Sequence, residues 1–444
     1  MGCDAKYGAA PGQGRIMRGK AMVLAMMLAN GGFAVIAPQA QARAQAAPAE
    51  TLAIDKARID TALKAMVADG RAAGTSALIW QDGREVYFGA AGMADRDAKR
   101  PMRRDTIAQI YSMTKPVTGV ALMQLWEAGK FHLDDPLSKY LPEYANMRVY
   151  AGKDAAGQPR YVATERPITV RDILRHTAGF AYGAGPTPAH AAYVAADPLA
   201  LTAPLAEASK RLAGVPLLFQ PGTQWEYSIA VDVQAALVEK LSGQRFAAYV
   251  RTHIFEPLEM ADTAWRHPDA KLARFAAMNV KTDGKLVQQD AAEAQKLNFR
   301  DNALTPGGFG LASTLNDYQR FARMLLNKGE LGDARILKPS TVQLMATDQL
   351  DPAITERAWL PGKGAVGFGF DFAVRKSPPQ TREENRGAVG EFFWDGMAST
   401  LFWVDPANKL TAVFFVQTMP YDGTLHRDFR AAVYGAGYRG PVGD

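Results

Sequence analysis

The chain has 444 residues, of which 48% are hydrophobic and 22% charged, a composition typical of a globular protein and unlike that of a disordered one. Its formal net charge is +6, but five basic residues and Asp4 place +4 of that charge before residue 47. The small surplus on the remainder of the chain gives no indication of a nucleic acid or another polyanion as partner.

The first 46 residues predict a signal peptide and leader. A basic start is followed by the apolar run 21–37 and then by small-x-small triplets at 40–46, which signal peptidases cleave. The run is interrupted by Asn-Gly-Gly at 30–32 and is short for a bilayer span of about 20 residues, so we expect no stable membrane anchor. The only cysteine, Cys3, lies in this leader, which leaves the mature chain without a disulfide or a thiolate metal site. We therefore expect a periplasmic or secreted protein.

The start of the mature chain predicts one helix and a β-hairpin. Apolar residues recur at helical spacing from Ile59 to Val67. Two β-prone runs, Thr75–Gln81 and Arg84–Ala90, follow and are joined by Asp-Gly, which is a strong signal for a two-residue hairpin turn. A helix that leads into an antiparallel hairpin indicates the edge of an α/β sandwich.

A candidate nucleophile, Ser112, begins the only Ser-x-x-Lys sequence of the chain, which ends at Lys115. A helical run, 117–128, follows directly, and Pro116 supports a helix start here because proline is tolerated in the first turn. Residues i and i+3 share a helix face, so the Lys115 amine can reach the Ser112 hydroxyl and, once desolvated, can act as its base. The helix N-terminus would add N–H groups for an oxyanion. Taken alone, so short a motif fits a serine cap and a solvated lysine somewhat better than a catalytic pair.

The middle of the chain is predicted to be mostly helical, with Pro/Gly-rich loops between the helices. Further helical runs lie at 170–175, 230–241 and 316–326. Tyr227 stands on the loop before the run 230–241, where its phenol could project toward a neighbouring domain and relay the proton of Ser112. A tyrosine packed in the core with a bonded hydroxyl is the alternative.

The two ends of the chain predict the same type of structure. Near the C-terminus we expect strands at 392–394, 399–404 and 410–417 and a helix at 426–434. This pattern favours one discontinuous α/β sandwich domain, 51–120 plus 330–440, with a mostly helical domain, 121–329, inserted in it and a cleft where the two meet.

A third candidate segment runs from Trp394 to Met397, between the first two of these strands. Gly396 could let a substrate lie close against the strand, and the N–H of Met397 could donate to an oxyanion. A lone glycine between strands is more often a turn or a bulge.

Nothing in the sequence indicates a cofactor or a metal. Residues 362–367 spell a dinucleotide-binding fingerprint, but no helix pattern follows them and no βαβ unit surrounds them. The six histidines show no metal-binding spacing such as His-Glu-x-x-His.

The three candidate segments together resemble the motifs of the serine β-lactamase and penicillin-recognising superfamily, specifically its class C-like branch, the family VIII carboxylesterases. The resemblance also includes residues 169–179, 254–263 and 307–318, and it extends from about 53 to about 435. It implies a β-lactamase-like fold, in which an antiparallel sheet is flanked by helices and an all-helical domain is inserted. This agrees with the α/β (α+β) class that the elements predict.

The resemblance also implies roles for individual residues. Ser112 would be the nucleophile, Lys115 its base partner and Tyr227 the general acid/base. The oxyanion hole would consist of the N–H groups of Ser112 and Met397, next to Gly396.

Two departures from the superfamily bear on the substrate. Ile229 stands where the second motif often has asparagine, and Trp394-Asp395-Gly396 replaces Lys-Thr-Gly, close to the Trp-Gly-Gly of the esterases. Both changes remove polar groups that would bind the amide and the carboxylate of a β-lactam. Asp395 is expected either to repel anionic substrates or to face solvent.

The sequence therefore predicts a serine carboxylesterase that hydrolyses small-molecule esters through an acyl-enzyme on Ser112 and needs no cofactor. Alternatives within enzymes are a β-lactamase or D-alanyl-D-alanine carboxypeptidase, and an acyltransferase that uses an alcohol in place of water. A non-catalytic peptidoglycan-binding protein is the alternative of another class.

Overall fold

The computed structural model describes residues 52–183, 185–290, 296–357, 360 and 363–438. These residues belong to one compact unit, Pro48–Asp444. The predicted signal peptide and leader, residues 1–46, lie outside the described residues.

The elements are numbered in chain order. The strands are β1 (Gly74–Gln81), β2 (Arg84–Asp95), β3 (Arg100–Pro101), β4 (Ala108–Gln109), β5 (Arg148–Lys153), β6 (Pro159–Ala163), β7 (Asn279–Thr282), β8 (Lys285–Gln288), β9 (Ala312–Ser313), β10 (Glu330–Leu331), β11 (Ala334–Arg335), β12 (Val366–Phe368), β13 (Ala373–Arg375), β14 (Phe392–Asp395), β15 (Leu401–Asp405), β16 (Leu410–Val416) and β17 (Thr418–Met419). The α-helices are α1 (Lys56–Ala68), α2 (Thr114–Glu127), α3 (Val170–Leu174), α4 (Pro188–Ala196), α5 (Leu205–Ala213), α6 (Ala230–Ser242), α7 (Phe246–Val250), α8 (Leu315–Leu326), α9 (Pro339–Met345) and α10 (Gly423–Tyr434).

The largest sheet is antiparallel and has the strand order β12-β13-β14-β15-β16-β1-β2-β3. It therefore combines strands from both ends of the described chain, with β1 paired to β16. The predicted hairpin is confirmed: Asp82 and Gly83 link β1 to β2 with φ of 50° and 77°, the left-handed turn that suits twisted strands.

Helices cover both faces of this sheet. The Thr75 hydroxyl of β1 donates to the Leu63 carbonyl of α1 at 3.3 Å, whereas the Trp80 ring of the same strand lies 3.6 Å from the Arg323 guanidinium of α8. Because side chains alternate along a strand, residues 75 and 80 point to opposite faces, so α1 and α8 lie on opposite sides. The expected fold class, a β-lactamase-like antiparallel sheet flanked by helices, is confirmed.

Two of the helices that pack together, α2 and α6, are buried on nearly all sides. All residues of α2 from Thr114 to Met123 and all residues of α6 from Ala230 to Val238 are buried. The charged residues within these stretches are Lys115 and Asp232. A buried charge is unfavourable unless it has a partner or a function, so both residues point to the site described below.

The helices and strands that the sequence predicted are confirmed with small shifts at their ends. The β5–β6 hairpin and the helices α4 and α5 were not individually predicted. The division into two domains at residues 121 and 329 stays a prediction. Over the described ranges, none of the helices has the length and apolar character that a bilayer crossing requires.

Candidate active site

Ser112 lies in a tight turn just before α2. Tyr111, the preceding residue, has φ of 44°, a left-handed conformation that is strained for a tyrosine. The Thr114 hydroxyl donates to the Tyr111 carbonyl at 2.6 Å, and the Tyr318 hydroxyl donates to the Met113 carbonyl at 2.7 Å. These bonds hold the sharp turn, which leaves the Ser112 side chain partly exposed.

Lys115 is the nearest basic group to this hydroxyl. Its Nζ lies 3.3 Å from Ser112 Oγ and donates to the Gly308 carbonyl at 2.8 Å. The residue is 1% exposed, and the loss of solvation lowers the pKa of Lys115 to about 8 against the opposing pull of three acidic residues, Asp232, Asp371 and Asp395. The amine can therefore exchange a proton close to neutral pH.

Tyr227 is the third group of this cluster. Lys115 Nζ lies 4.6 Å from the centre of the Tyr227 ring. Burial raises the pKa of Tyr227, although its interactions with the Ser112 hydroxyl and the Trp394 indole oppose this rise. Within the described part of the chain, the phenol oxygen makes no hydrogen bond of regular geometry. The structure thus brings Ser112, Lys115 and Tyr227 together, with a protonated phenol beside the nucleophile.

Aromatic rings surround the amine and the phenol. The Tyr182 ring lies 5.4 Å from Lys115 Nζ and 5.6 Å from the Tyr227 ring, and the Trp394 ring lies 5.3 Å from the Tyr227 ring. They lower the polarity around Lys115. No sequence motif pointed to Tyr182, although it follows the segment 169–179 closely.

The end of β14 lies against the turn that carries Ser112. A Cβ added to Gly396 would come within 2.4 Å of the Ile110 carbonyl oxygen and 2.3 Å of the Thr400 hydroxyl. The glycine that was expected to leave room for a substrate is therefore needed for packing against the protein's own backbone. The next N–H, that of Met397, has no acceptor among the described residues, and Met397 is 57% exposed. It is available for an oxyanion.

The expectation that Asp395 either repels anionic substrates or faces solvent was wrong. Asp395 is buried and forms an ion pair with Lys363, so it neither faces solvent freely nor presents an unpaired negative charge to a substrate. The Tyr421 hydroxyl lies 3.4 Å from the same carboxylate, and the Lys363 amine lies 5.1 Å from the Trp394 ring. Lys363 belongs to the Gly-rich stretch 362–367, and the sequence gave no signal that would pair it with Asp395.

Two further residues near the site are Ile229, which the sequence analysis named, and Asp232, which it did not. Ile229, the departure in the second motif, is buried in the hydrophobic core. Asp232, which belongs to none of the sequence motifs, lies near Lys115 and accepts a hydrogen bond from the Gly308 N–H at 3.2 Å. The sequence feature that could have pointed to Asp232 is its position as the single acid within the largely apolar run 230–238. No group of three His, Cys, Asp or Glu side chains suited to a metal ion occurs in the described ranges.

A serine hydroxyl beside a buried amine and a phenol, on an antiparallel sheet flanked by helices, defines a serine hydrolase of the β-lactamase-like fold. The sequence model described as Beta-lactamase matches residues 59–436. The chain therefore belongs to the β-lactamase family, and the family and fold expected from the motifs are confirmed.

Similar proteins include esterases and acyl-transferring enzymes. Esterase EstB of Burkholderia gladioli is 30% identical over 402 residues, which cover 85% of this chain and 95% of that protein. The structure of EstCE1, described as a hydrolase with promiscuous acyltransferase activity, has a TM-score of 0.69 at 25% identity and covers 85% of this chain and 98% of EstCE1. A mutant of simvastatin synthase from Aspergillus terreus has a TM-score of 0.72 at 26% identity, with coverages of 85% and 93%.

Proposed function

We propose that the protein is a serine carboxylesterase that forms an acyl-enzyme on Ser112. The observation that carries this proposal is the buried Lys115 amine, 3.3 Å from Ser112 Oγ and with its pKa lowered to about 8. Such an amine can take the serine proton as the hydroxyl attacks an ester carbonyl, which an ordinary lysine at neutral pH cannot do.

The reaction proceeds in two halves. In acylation, Ser112 Oγ bonds to the carbonyl carbon, its proton passes to Lys115, and the resulting oxyanion accepts hydrogen bonds from the N–H groups of Ser112 and Met397. Tyr227 keeps its proton because burial raises its pKa, so it donates to the leaving alkoxide and recovers a proton from Lys115. Water then replaces the alcohol and releases the acid by the same steps in reverse.

The surroundings of the nucleophile favour an ester without charge. Asp395 and Lys363 neutralise each other, so neither is free to bind a charged group of the substrate. Exposed apolar side chains border the cluster, with Tyr182 at 38% and Met397 at 57% exposure. Apolar surface beside a nucleophile suits an acyl or alcohol group of hydrocarbon character.

A β-lactam is the less suitable substrate. Ile229 is buried in the core, so that position offers no amide to bind the substrate's own amide group. Two of the similar proteins are described as an esterase, EstB, and as a hydrolase with promiscuous acyltransferase activity, EstCE1. We also propose that the protein is exported, on the basis of the signal-like pattern of residues 1–46.

The test compares substrates and one serine variant. We expect the purified protein to hydrolyse p-nitrophenyl acetate and butyrate and to leave nitrocefin and a D-Ala-D-Ala peptide unchanged. Ser112→Ala should lower ester turnover by a factor of about 10³ or more. Ser138→Ala, a partly buried serine outside the site, serves as the matched control and should keep full activity.

Three results would contradict the proposal. They are turnover of nitrocefin without turnover of esters, no detectable turnover of any of these substrates, and near-normal esterase activity in Ser112→Ala. A mass increase equal to the acyl group on the wild-type protein, absent from Ser112→Ala, would identify the acylated residue directly.

A further inference from the structure

Asp232 is a buried carboxyl that the proposed reaction does not yet use. It is the third residue of α6 and is 5% exposed, between the buried residues Val231 and Val233. Gly308 links it to the base: the Gly308 N–H donates to Asp232 Oδ1 at 3.2 Å, and the Gly308 carbonyl accepts from Lys115 Nζ at 2.8 Å. The carboxyl and the amine thus flank the same residue.

The second oxygen of this carboxyl and the Lys115 amine lie near the same point beside Gly308. Asp232 Oδ2 is buried and has no hydrogen-bond partner among the described residues. A Cβ built on Gly308 would lie 2.9 Å from Asp232 Oδ2, 3.2 Å from the Tyr182 hydroxyl and 3.3 Å from Lys115 Nζ. Three polar atoms therefore converge on one small space, and only a glycine leaves that space open.

Several other ionisable groups surround Lys115, and each differs from Asp232 in charge or pairing. They are Asp371 after β12, Asp395 on β14, His176 after α3, Tyr182, and Tyr227 before α6. Burial raises the pKa of Asp371 well above its usual range and lowers the pKa of His176 well below its own, so burial favours the neutral form of both groups. Asp395 is paired with Lys363.

Asp232 is the member of this group that binds Gly308, the residue whose carbonyl also binds Lys115 Nζ. Burial raises the pKa of Asp232 to about 6, while Lys115 and the Gly308 N–H oppose the rise. The carboxyl is therefore ionised at neutral pH, and the low polarity around it strengthens its attraction for the amine.

We propose that Asp232 is the positioning residue of the base: its carboxylate holds Lys115 toward Ser112 and stabilises the ammonium that forms when Lys115 takes the serine proton. This inference rests on the proposed esterase function. The Ser112 O–H bond breaks, a Lys115 N–H bond and the bond from Ser112 Oγ to the carbonyl carbon form, and Asp232 stays ionised throughout. The lysine later returns the proton through Tyr227 to the leaving alkoxide.

The test is the pH profile of ester hydrolysis in Asp232→Asn, which keeps the shape of the side chain and removes its charge. Without that charge the ammonium of Lys115 is less stable, so the acid limb of kcat/KM for p-nitrophenyl acetate should move to lower pH by about one unit. The value of kcat/KM on the plateau above this limb should fall about tenfold or more, because the amine becomes a weaker base.

Asp317→Asn is the matched control. Asp317 is also a buried carboxyl at the third position of a helix, α8, and accepts a hydrogen bond from the Asp262 N–H at 2.7 Å, but it is not among the acids that act on Lys115. The acid limb of Asp317→Asn should lie at the same pH as that of the wild type. A merely structural role of Asp232 would lower the plateau without moving the limb, and an unmoved limb in folded Asp232→Asn overturns the proposal.

A second measurement covers the case in which Asp232→Asn does not fold. In the Ser112→Ala protein labelled with ¹³C-lysine, the Lys115 resonance should titrate near pH 8 and show a smaller inflection near pH 6, where Asp232 takes up a proton. Absence of that smaller inflection overturns the role of Asp232. The esterase function is tested separately by the activity of Ser112→Ala, so the two proposals fail on different readouts.

Discussion

Lys115 is the residue whose environment determines the chemistry of the site. Transfer of a lysine to a buried position destabilises its ammonium form, and three acidic residues nearby partly restore it. The balance leaves a pKa of about 8 rather than the extreme value that burial alone would produce. Because a base works best when its pKa is near the working pH, this balance suits catalysis at neutral to slightly alkaline pH.

The balance predicts a pH dependence. Lys115 accepts the Ser112 proton only when it is itself unprotonated, so log kcat/KM should rise with pH with a slope of about one below pH 8 and level off above it. The measurement is kcat/KM for p-nitrophenyl acetate between pH 5.5 and 9.5, corrected for spontaneous hydrolysis.

Lys115→Arg tests the same point. Arginine keeps the positive charge but does not lose its proton, so activity should fall by a factor of about 10³ at every pH. Lys139→Arg, at a solvent-exposed lysine in an i,i+4 ion pair, should behave as wild type. A profile that is flat across pH 8, or an active Lys115→Arg, would contradict the role of Lys115.

At the scale of elements, the site is built where a strand end meets a turn. β14 ends at Asp395, and the next residue, Gly396, packs directly on Ile110, two residues before Ser112. The strand thereby brings the Met397 N–H close to the strained turn that presents the nucleophile. The position of β14 in the sheet and the position of Ser112 in the site are therefore coupled through the close contact of Gly396 with Ile110.

This contact predicts the effect of Gly396→Ala. The new methyl group would lie 2.4 Å from the Ile110 carbonyl oxygen, so the strand end and the turn must separate. We expect an overpacking loss of about 1–3 kcal/mol in the free energy of unfolding, and a fall in kcat/KM of about 10²-fold from the displaced oxyanion donor. Gly437→Ala, where a Cβ meets no atom within 4 Å, is the control. Equal behaviour of the two variants in thermal unfolding and ester turnover would exclude this coupling.

Local patterns in the sequence predicted the elements because their causes are local. The apolar spacing of 59–67 predicted α1, and Asp-Gly at 82–83 predicted the hairpin, since both signals are contained in the segment that folds. Ser112 and Lys115 were predicted for the same reason, because three positions along a helix bring them together. Asp395 was misread because its partner, Lys363, reaches it through the tertiary fold.

Residues that enter the site through tertiary structure could not be placed from the sequence. Tyr182 and Gly308 lie on loops more than 60 residues from Ser112 in sequence, yet both reach Lys115. No periodicity or turn signal relates such segments to each other. The sequence shows Asp232 as a charge inside an apolar helix. It does not show the proximity of Asp232 to Lys115, which depends on the packing of α2 against α6.

For the molecule as a whole, several of its exposed large apolar side chains border the site. Tyr182 and Met397 lie beside Lys115 and Gly396, and Tyr421, 39% exposed, lies beside Asp395. From Tyr182 the loop continues into an open groove of about 640 Å³, which α4 lines with Val194, 69% exposed. Exposed apolar side chains next to a nucleophile are typical of a binding face for a hydrocarbon group, and Gly183, which follows Tyr182, lines the groove.

This apolar face predicts a preference for esters with longer hydrocarbon groups. A chain that reaches from Ser112 past Tyr182 into the groove buries apolar surface that acetate does not, so kcat/KM should rise from p-nitrophenyl acetate to the octanoate. Val194→Ser removes apolar contact at the far end and should lower the octanoate-to-acetate ratio of kcat/KM about three- to tenfold. Val287→Ser is the matched control. Val287 is 47% exposed and lies on β8, in the sheet β17-β7-β8 and outside the groove. The octanoate-to-acetate ratio of this variant should equal that of the wild type. If both variants keep the wild-type ratio, or both lower it equally, the groove does not bind the substrate.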